Sequence, residues 1–163
     1  MPNKIIPGAV AIVLALGSLM TSAAEVVRNG NTPDRPILSS VEIPAGKALV
    51  FVSGMTPSPK NPDAPREQQT LGTMEEQTRS ALSKIEAHLK TLGLGMGDVV
   101  KAQAFLVADP KTGMVDRDGF NKAFKEFFGT EKQPNKPTRS AFTIAALGSA
   151  SMFVEIEVMA VRP

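Results

Sequence analysis

Apolar and polar residues alternate along the C-terminal stretch 152–161, a pattern typical of a β-strand with one buried face. One face of this strand is apolar and the other is mixed. The apolar face carries Met152, Val154, Ile156, Val158 and Ala160, and the mixed face carries Phe153, Glu155, Glu157, Met159 and Val161. The stretch 98–107 has the same period of two, with Lys101 and Gln103 on its more polar face. Both stretches are therefore predicted to form strands that border a core.

Three further strands are predicted from shorter patterns. Residues 47–54 form an apolar run that stops at Gly54, as a buried central strand would. Residues 139–146 place Phe142 and Ile144 on one face and smaller side chains on the other. Residues 37–43 fit an irregular first strand. The chain therefore supplies five predicted strands.

Two helices are predicted between these strands. The first begins at Thr73, which is followed by Glu76 at the spacing of a capping box, and it ends at Gly93. The second occupies residues 116–129, with Gly129 as its stop. Each helix carries one apolar stripe at helical spacing. The stripes consist of Leu82, Ile85, Leu89 and Leu92 in the first helix and of Phe120, Phe124 and Phe127 in the second.

The order of these elements indicates an α+β domain in which both helices pack on one face of the sheet. Two helices cover only one face, and the opposite face is too apolar to remain in water. We therefore expect that face to contact a partner, and another copy of the chain is the simplest one. A proline-rich stretch, residues 55–72, connects a strand to the first helix. It is either a solvated connection or a mobile lid, and the solvated connection is the commoner case.

The N-terminus has the pattern of an export signal. An uncharged apolar run of 16 residues, 5–20, is followed by small residues at Ser22 and Ala24. We predict a signal peptide over residues 1–24, cleaved near Ala24, then a linker over 25–35 and one domain over 36–163, with the mature protein in a bacterial periplasm. The alternative is an uncleaved membrane anchor, although a spanning helix needs about 20 apolar residues.

The amino-acid composition excludes several classes of site. The chain has no Cys and one His, so disulfides, thiol nucleophiles and histidine-rich metal centres are excluded. Removal of residues 1–24 takes away one lysine and no acid, which leaves 17 bases and 16 acids and a formal charge of +1. With no basic stripe and no interleaved aromatic residues, nucleic-acid binding is not expected. A histidine-rich metal centre and a nucleic-acid partner are therefore not expected, whereas the composition leaves a carboxylate metal site open.

One cation, Arg139, begins the fourth strand, and two acids, Glu155 and Glu157, lie within the last. Charges inside strands need a partner or water. Two interpretations remain open from the residues alone. Arg139 could pair with a glutamate across neighbouring strands, or it could bind a ligand carboxylate through its planar fork of donors.

Several stretches resemble the RidA (YjgF/YER057c/UK114) family, in the same order along the chain. These are "VFVSGMTP", the helix and strand "EEQTRSALSKIEAHLKTLGLGMGDVVKAQAFLVAD", "FNKAFKEFF" and "KPTRSAFTIAALGSASMFVEIEVMAV". The likeness covers roughly residues 36–162. The resemblance implies a chorismate-mutase-like α+β fold with a mixed sheet, a homotrimer with ligand clefts between subunits, and hydrolysis of enamines and imines to 2-keto acids and ammonia without a cofactor or a metal.

The resemblance also implies a site. Arg139 corresponds to the arginine that holds a substrate carboxylate, and Glu155 to the catalytic glutamate that orients or activates water. The substrate-binding positions are Arg139, Ser53, Gly54, Asn121 and Ala141. Two positions depart from the pattern of many members: Ala141 replaces a cysteine that contributes mainly backbone, and Ser39 lies near the place of a tyrosine. A wider or less aromatic cleft is therefore expected.

Two functions follow from the sequence as alternatives. The first is a periplasmic deaminase of the 2-iminobutanoate/2-iminopropanoate type, which acts on small carboxylate-bearing enamines and imines. The second is a non-catalytic small-ligand-binding or holdase-like protein on the same trimeric fold. Export favours the second, because reactive enamines made in the cytoplasm would decay before reaching the periplasm. The presence of both Arg139 and Glu155 favours the first.

Overall fold

The structure, a computed structural model, describes residues 24–163. These residues form six strands and two α-helices, together with short 3-10 turns at Arg66–Gln68 and Met96–Asp98. The strands are β1 (Val27–Asn29), β2 (Ser40–Glu42), β3 (Leu49–Met55), β4 (Val99–Leu106), β5 (Thr138–Thr143) and β6 (Val154–Val161), and the helices are α1 (Met74–Thr91) and α2 (Arg117–Phe124). The predicted signal peptide lies outside the described residues, except for Ala24.

The central sheet has the strand order β3-β6-β4-β5. Strand β6 is antiparallel to both β3 and β4, whereas β4 and β5 are parallel and are connected through α2. Both helices pack on the same face of this mixed sheet, which confirms the predicted α+β class. Among residues 24–163, none of the helices is long and apolar enough to cross a membrane.

Helix α1 begins and ends where its sequence predicts. Thr73 and Glu76 form a reciprocal capping box at the start of α1, and Gly93 follows its end with a positive φ of 71°. Of the predicted apolar stripe, Leu82, Ile85 and Leu89 are buried against the sheet. Leu92 follows the last residue of α1 and is only partly buried. Helix α2 is shorter than predicted, because it ends at Phe124 and the chain continues in a turn.

Strand β3 differs from the prediction of a buried central strand. It is an edge strand that pairs only with β6 within the four-stranded sheet, and Gly54 lies inside it rather than at its end. Side chains of β3 alternate in exposure, with Val52 buried and Phe51 71% exposed. A continuous apolar run normally indicates a strand covered on both faces, but here one of its faces is left open in the single chain.

The sheet face opposite the helices is open and partly apolar, as predicted. We name it the open face, and it carries Phe51, Lys101, Gln103, Phe105, Phe142, Glu155, Glu157 and Met159. Phe105 and Phe142 stack on it with ring centroids 6.2 Å apart, and Phe142 remains 48% exposed. Apolar surface of this kind is typical of a contact surface.

Residues 25–35 were predicted to be a linker, but they contain β1 and are attached to the domain. Strand β1 pairs with β2 in a small separate sheet. The guanidinium of Arg28 donates to the carbonyls of Gly97 (2.8 Å), Val99 (3.1 Å) and Lys136 (2.6 Å). Burial lowers the pKa of Arg28, as expected for a cation bound by neutral carbonyls. A single arginine therefore joins the N-terminal segment to the beginning of β4 and to the chain that precedes β5.

Replacing Arg28 with methionine is expected to destabilise the domain by about 1–2 kcal/mol, because three carbonyl groups lose a charged donor. Urea unfolding of the two proteins measures the difference. Arg35→Met is the matched control, since Arg35 belongs to the same segment and is exposed. Equal losses in the two variants would contradict the anchoring role of Arg28.

The proline-rich stretch between β3 and α1 is bonded to itself and to α1. The side chain of Asn61 donates to the carbonyl of Gln68 and accepts from the backbone N–H of Thr70. The amide of Gln69 donates to the carbonyls of Pro62 and Ala64. These bonds close a compact surface loop.

Candidate functional site

Arg139 lies near the beginning of β5, on the helix-covered face of the sheet. Its strand neighbour is Ala102 of β4, whose side chain is fully buried on that face. The guanidinium carbon lies 4.4 Å from the ring centroid of Phe124 and 4.8 Å from that of Phe120, both on α2. The Nη2 group donates to Oδ1 of Asn121 at 2.8 Å. Helix α2 thus provides two aromatic faces and one amide oxygen around the cation.

The other terminal nitrogen of Arg139, Nη1, is buried and has no hydrogen-bond partner among the described residues. None of the ion pairs found within residues 24–163 includes Arg139. Burial, and then the positive charge of Arg117, lower the pKa of Arg139 to about 10, so the group remains cationic at neutral pH. An unpaired buried donor costs free energy, and an anion placed beside Nη1 would remove that cost.

Ala141 follows Arg139 on the same face of β5, and its side chain is partly buried. Strand β5 is the edge of the sheet beyond β4, so its outer backbone groups have no strand partner in the described part of the chain. Arg139, Asn121 and Ala141 therefore form one half of the predicted site.

Glu155 and Gly54 meet on the open face. The bulge in β3 between Val52 and Met55 brings Gly54 over β6. A Cβ atom placed on Gly54 would collide with Oε1 of Glu155 and would also crowd its carboxyl carbon. Only glycine therefore lets the carboxylate of Glu155 lie in this position against the backbone of β3.

Gly54→Ala is expected to displace the Glu155 carboxylate and so to lower catalytic turnover by about 10-fold or more, with a smaller effect on carboxylate binding. Steady-state kinetics and ligand titration measure the two effects separately. Gly148→Ala is the control, since an added Cβ there meets nothing within 4 Å. A fully active Gly54→Ala protein would show that the carboxylate position is unimportant.

Ser53 is exposed beside a cavity of about 300 Å³ on the open face. The walls of this cavity are formed by Phe51, Val52, Ser53, Lys101, Gln103, Glu157, Val158 and Met159. The amine of Lys101 donates to the hydroxyl of Ser140 at 3.0 Å across the β4–β5 pair. Gly54 and Glu155 thus form the second half of the predicted site, whereas Ser53 borders a cavity that is lined by Glu157 and not by Glu155.

The two halves lie on opposite faces of the sheet and are not brought together within one chain. Ala102 of β4 is the register partner of both Arg139 in β5 and Val158 in β6. Phe105, three residues further along β4, is the register partner of Glu155 in β6. With β4 between them, the Cα atoms of Arg139 and Glu155 are about 14 Å apart. The alternative of a salt bridge across paired strands is therefore not realised, because β5 and β6 are not paired.

Sequence patterns missed part of the surroundings of Arg139. The spacing of Phe120 and Phe124 indicates a core stripe, and both side chains are indeed buried. The same two rings are also the surfaces on which the guanidinium rests. Lys101 of the open-face cavity was noted only as a polar strand position. Within residues 24–163, no three His, Asp or Glu side chains are grouped closely enough to hold a metal ion.

Comparison with known proteins identifies relatives along most of the chain. Residues 38–162 match the protein family described as Endoribonuclease L-PSP. The chain is 33% identical over 115 residues to TdcF of Escherichia coli, which covers 71% of this chain and 80% of that protein. It is 31% identical over 115 residues to the 2-iminobutanoate/2-iminopropanoate deaminase of Escherichia coli, with 70% and 80% covered. The solved structure of Escherichia coli TdcF with bound serine has a TM-score of 0.55 at 26% identity, covering 86% of this chain and 100% of that chain.

Proposed function

Since the chain belongs to the YjgF/RidA family, we propose that it hydrolyses small carboxylate-bearing imines and enamines to 2-keto acids and ammonia. The observation that carries this proposal is the half-buried cation of Arg139, whose buried Nη1 has no partner in the described chain. A substrate carboxylate would complete this group with a charge-assisted hydrogen bond. The deaminase named among the relatives acts on substrates of this class.

The site is completed by a second protomer in this proposal. Arg139 and Glu155 lie on opposite faces of one sheet, so a single substrate reaches both only if they come from different chains. The open face supplies apolar surface for such contacts, with Phe51 71% exposed. A closed cyclic trimer, in which each protomer gives Arg139 to one cleft and Glu155 to another, satisfies both requirements.

The reaction needs only binding and one general base. Arg139 and Asn121 orient the substrate carboxylate and so place the imine carbon near the neighbouring protomer's Glu155. Glu155 accepts a proton from water as the water oxygen bonds to the imine carbon, and it passes this proton to the imine nitrogen to give a carbinolamine. The same carboxylate then accepts the proton of the carbinolamine hydroxyl and donates it to the nitrogen as the C–N bond breaks, which releases ammonia and leaves the keto acid.

Export to the periplasm remains part of the proposal. The predicted cleavage near Ala24 would leave β1, which begins at Val27, intact in the mature chain. Arg28 would then anchor the new N-terminal segment to the domain. Mass spectrometry of the protein recovered from a periplasmic extract is expected to give a chain that begins at Glu25. Recovery of the full-length chain from the membrane fraction would contradict cleavage.

The experiment that tests the proposed function couples hydrolysis to assembly. Imines are generated in situ from small amino acids by an amino-acid oxidase, and the release of keto acid and ammonia is followed. We expect acceleration by a trimeric species identified by sedimentation equilibrium. Carboxylate binding by a trimer without any acceleration would instead identify a non-catalytic binding protein, and a monomer without binding would refute both functions.

A further inference from the structure

Arg117 is a second cation near Arg139 that the proposed hydrolysis does not use. It lies one helical turn before Asn121 on α2, so the two side chains project toward the same side of that helix. Its Nη2 donates to the hydroxyl of Thr143 at 3.1 Å. The residue is exposed, and none of the ion pairs within the described residues includes it.

Strand β5 and helix α2 place the two arginines at the two ends of one short row. On the helix-covered face of β5 the row is Arg139, Ala141 and Thr143. Asn121 contacts the first member, and Arg117 contacts the last. Ala141 lies between them, and its side chain is only a methyl group.

The electrostatics of this row favour a ligand with two negative groups. The charge of Arg117 contributes to the lowered pKa of Arg139, which shows that the two cations influence each other. A ligand with one carboxylate would neutralise only one of them. A ligand with a second carboxylate would also remove the remaining repulsion and would replace the neutral Thr143 contact of Arg117 with a charged one.

The dimensions limit the size of such a ligand. Helical spacing places Arg117 and Asn121 about 6 Å apart, and strand spacing places Arg139 and Thr143 about 13 Å apart. A four- or five-carbon diacid holds its carboxyl carbons about 4–5 Å apart, and an arginine adds about 4 Å at each end. Such a diacid therefore spans about 12–13 Å between two guanidinium carbons, which matches the strand spacing between Arg139 and Thr143.

We propose that the substrates of this site are dicarboxylic imino acids, with Arg139 binding the carboxylate next to the imine carbon and Arg117 binding the distal one. This inference rests on the proposed function, because it specifies the substrate class of the same cleft. Arg117 is then the specificity-determining residue of the cleft. Its contact with Thr143 holds it near the row when the distal carboxylate is absent.

Binding of stable keto acids tests the substrate class without relying on catalysis. The probes are 2-oxoglutarate, a diacid, and 2-oxobutanoate, a monoacid, titrated by calorimetry at low ionic strength, where exposed charges are least screened. The proteins are the wild type, Arg117→Gln and Lys122→Gln. Lys122 is a matched control, since it is a cation of the same helix that contacts Glu75 of α1 instead of β5.

We expect the wild type to bind 2-oxoglutarate about 10-fold more tightly than 2-oxobutanoate, as an additional charged hydrogen bond would give. Arg117→Gln is expected to bring this ratio close to one, and Lys122→Gln to leave it unchanged. A wild type that binds the monoacid equally well or better overturns the dicarboxylate inference and leaves the proposed function standing. If Arg117→Gln still binds 2-oxoglutarate more tightly than 2-oxobutanoate, other groups cause the preference and the role of Arg117 is overturned. Failure to bind either acid overturns the proposed function as well.

Discussion

Replacing Arg139 with methionine is expected to abolish carboxylate binding without destabilising the domain. Loss of the charged donors should weaken binding by about 3 kcal/mol, which is about 100-fold. Burial lowers the pKa of Arg139 to about 10, so folding disfavours its charged form. A methionine would pack against Phe120 and Phe124 without that cost. We therefore expect unchanged stability or a gain of up to about 2 kcal/mol.

Calorimetric titration with 2-oxobutanoate and urea unfolding measure the two effects of this substitution. Arg139→Lys is the matched variant, because it keeps the charge and loses the planar fork. It should bind more weakly than the wild type but better than Arg139→Met. A drop in stability of more than about 1 kcal/mol in Arg139→Met would show that the arginine is a structural group rather than a ligand anchor.

Glu155→Gln is expected to reduce turnover by about 10²–10⁴-fold while carboxylate binding is retained, because an amide does not accept the proton from water. Glutamine has nearly the same shape, so it can keep its place beside Gly54. The measurement is single-turnover hydrolysis of an imine generated in situ, together with titration of a keto acid. The ratio of the two effects separates a catalytic group from a binding group.

Glu157→Gln is the control for Glu155→Gln, because Glu157 lies on the same open face two residues further along β6. The Cα partner of Glu157 is Gln103, and its side chain lines the 300 Å³ cavity. We expect it to change turnover by less than about 10-fold. A larger loss of turnover in Glu157→Gln than in Glu155→Gln would show that Glu157, and not Glu155, is the general base.

Local patterns predicted the helices and the faces of the strands well. The capping box at Thr73 and the stop at Gly93 depend on neighbouring residues, so they can be read from a short window. The alternation in β6 likewise places Ile156 in the core and Glu155 on the open face. Each of these features is set by the chain within a few residues of itself.

Long-range features could not be read in the same way. The acceptors of Arg28 lie 69 to 108 residues away, so its segment appeared to be a linker. The edge position of β3 depends on which strands pair, and an apolar run does not encode this. The strands that carry Arg139 and Glu155 are consecutive in sequence, which suggested pairing. In the structure β4 lies between them, because α2 returns the chain parallel to β4.

The same contrast between local and long-range features applies to the candidate site. Its residue types follow from sequence motifs, but their grouping into two halves follows only from the sheet order. Arg139 and Asn121 are brought together by the packing of α2 on β5, and Glu155 and Gly54 by the bulge in β3. The separation of these halves is what calls for a second protomer.

Complementation between two inactive variants tests most directly whether the site is shared between protomers. Arg139→Met and Glu155→Gln chains with different affinity tags are co-expressed, and assemblies that carry both tags are isolated. In a mixed cyclic trimer one of the three clefts combines an intact Arg139 with an intact Glu155, so about a third of wild-type activity is expected. Activity no higher than that of either variant alone would show that both residues act within one chain, and it would contradict the account.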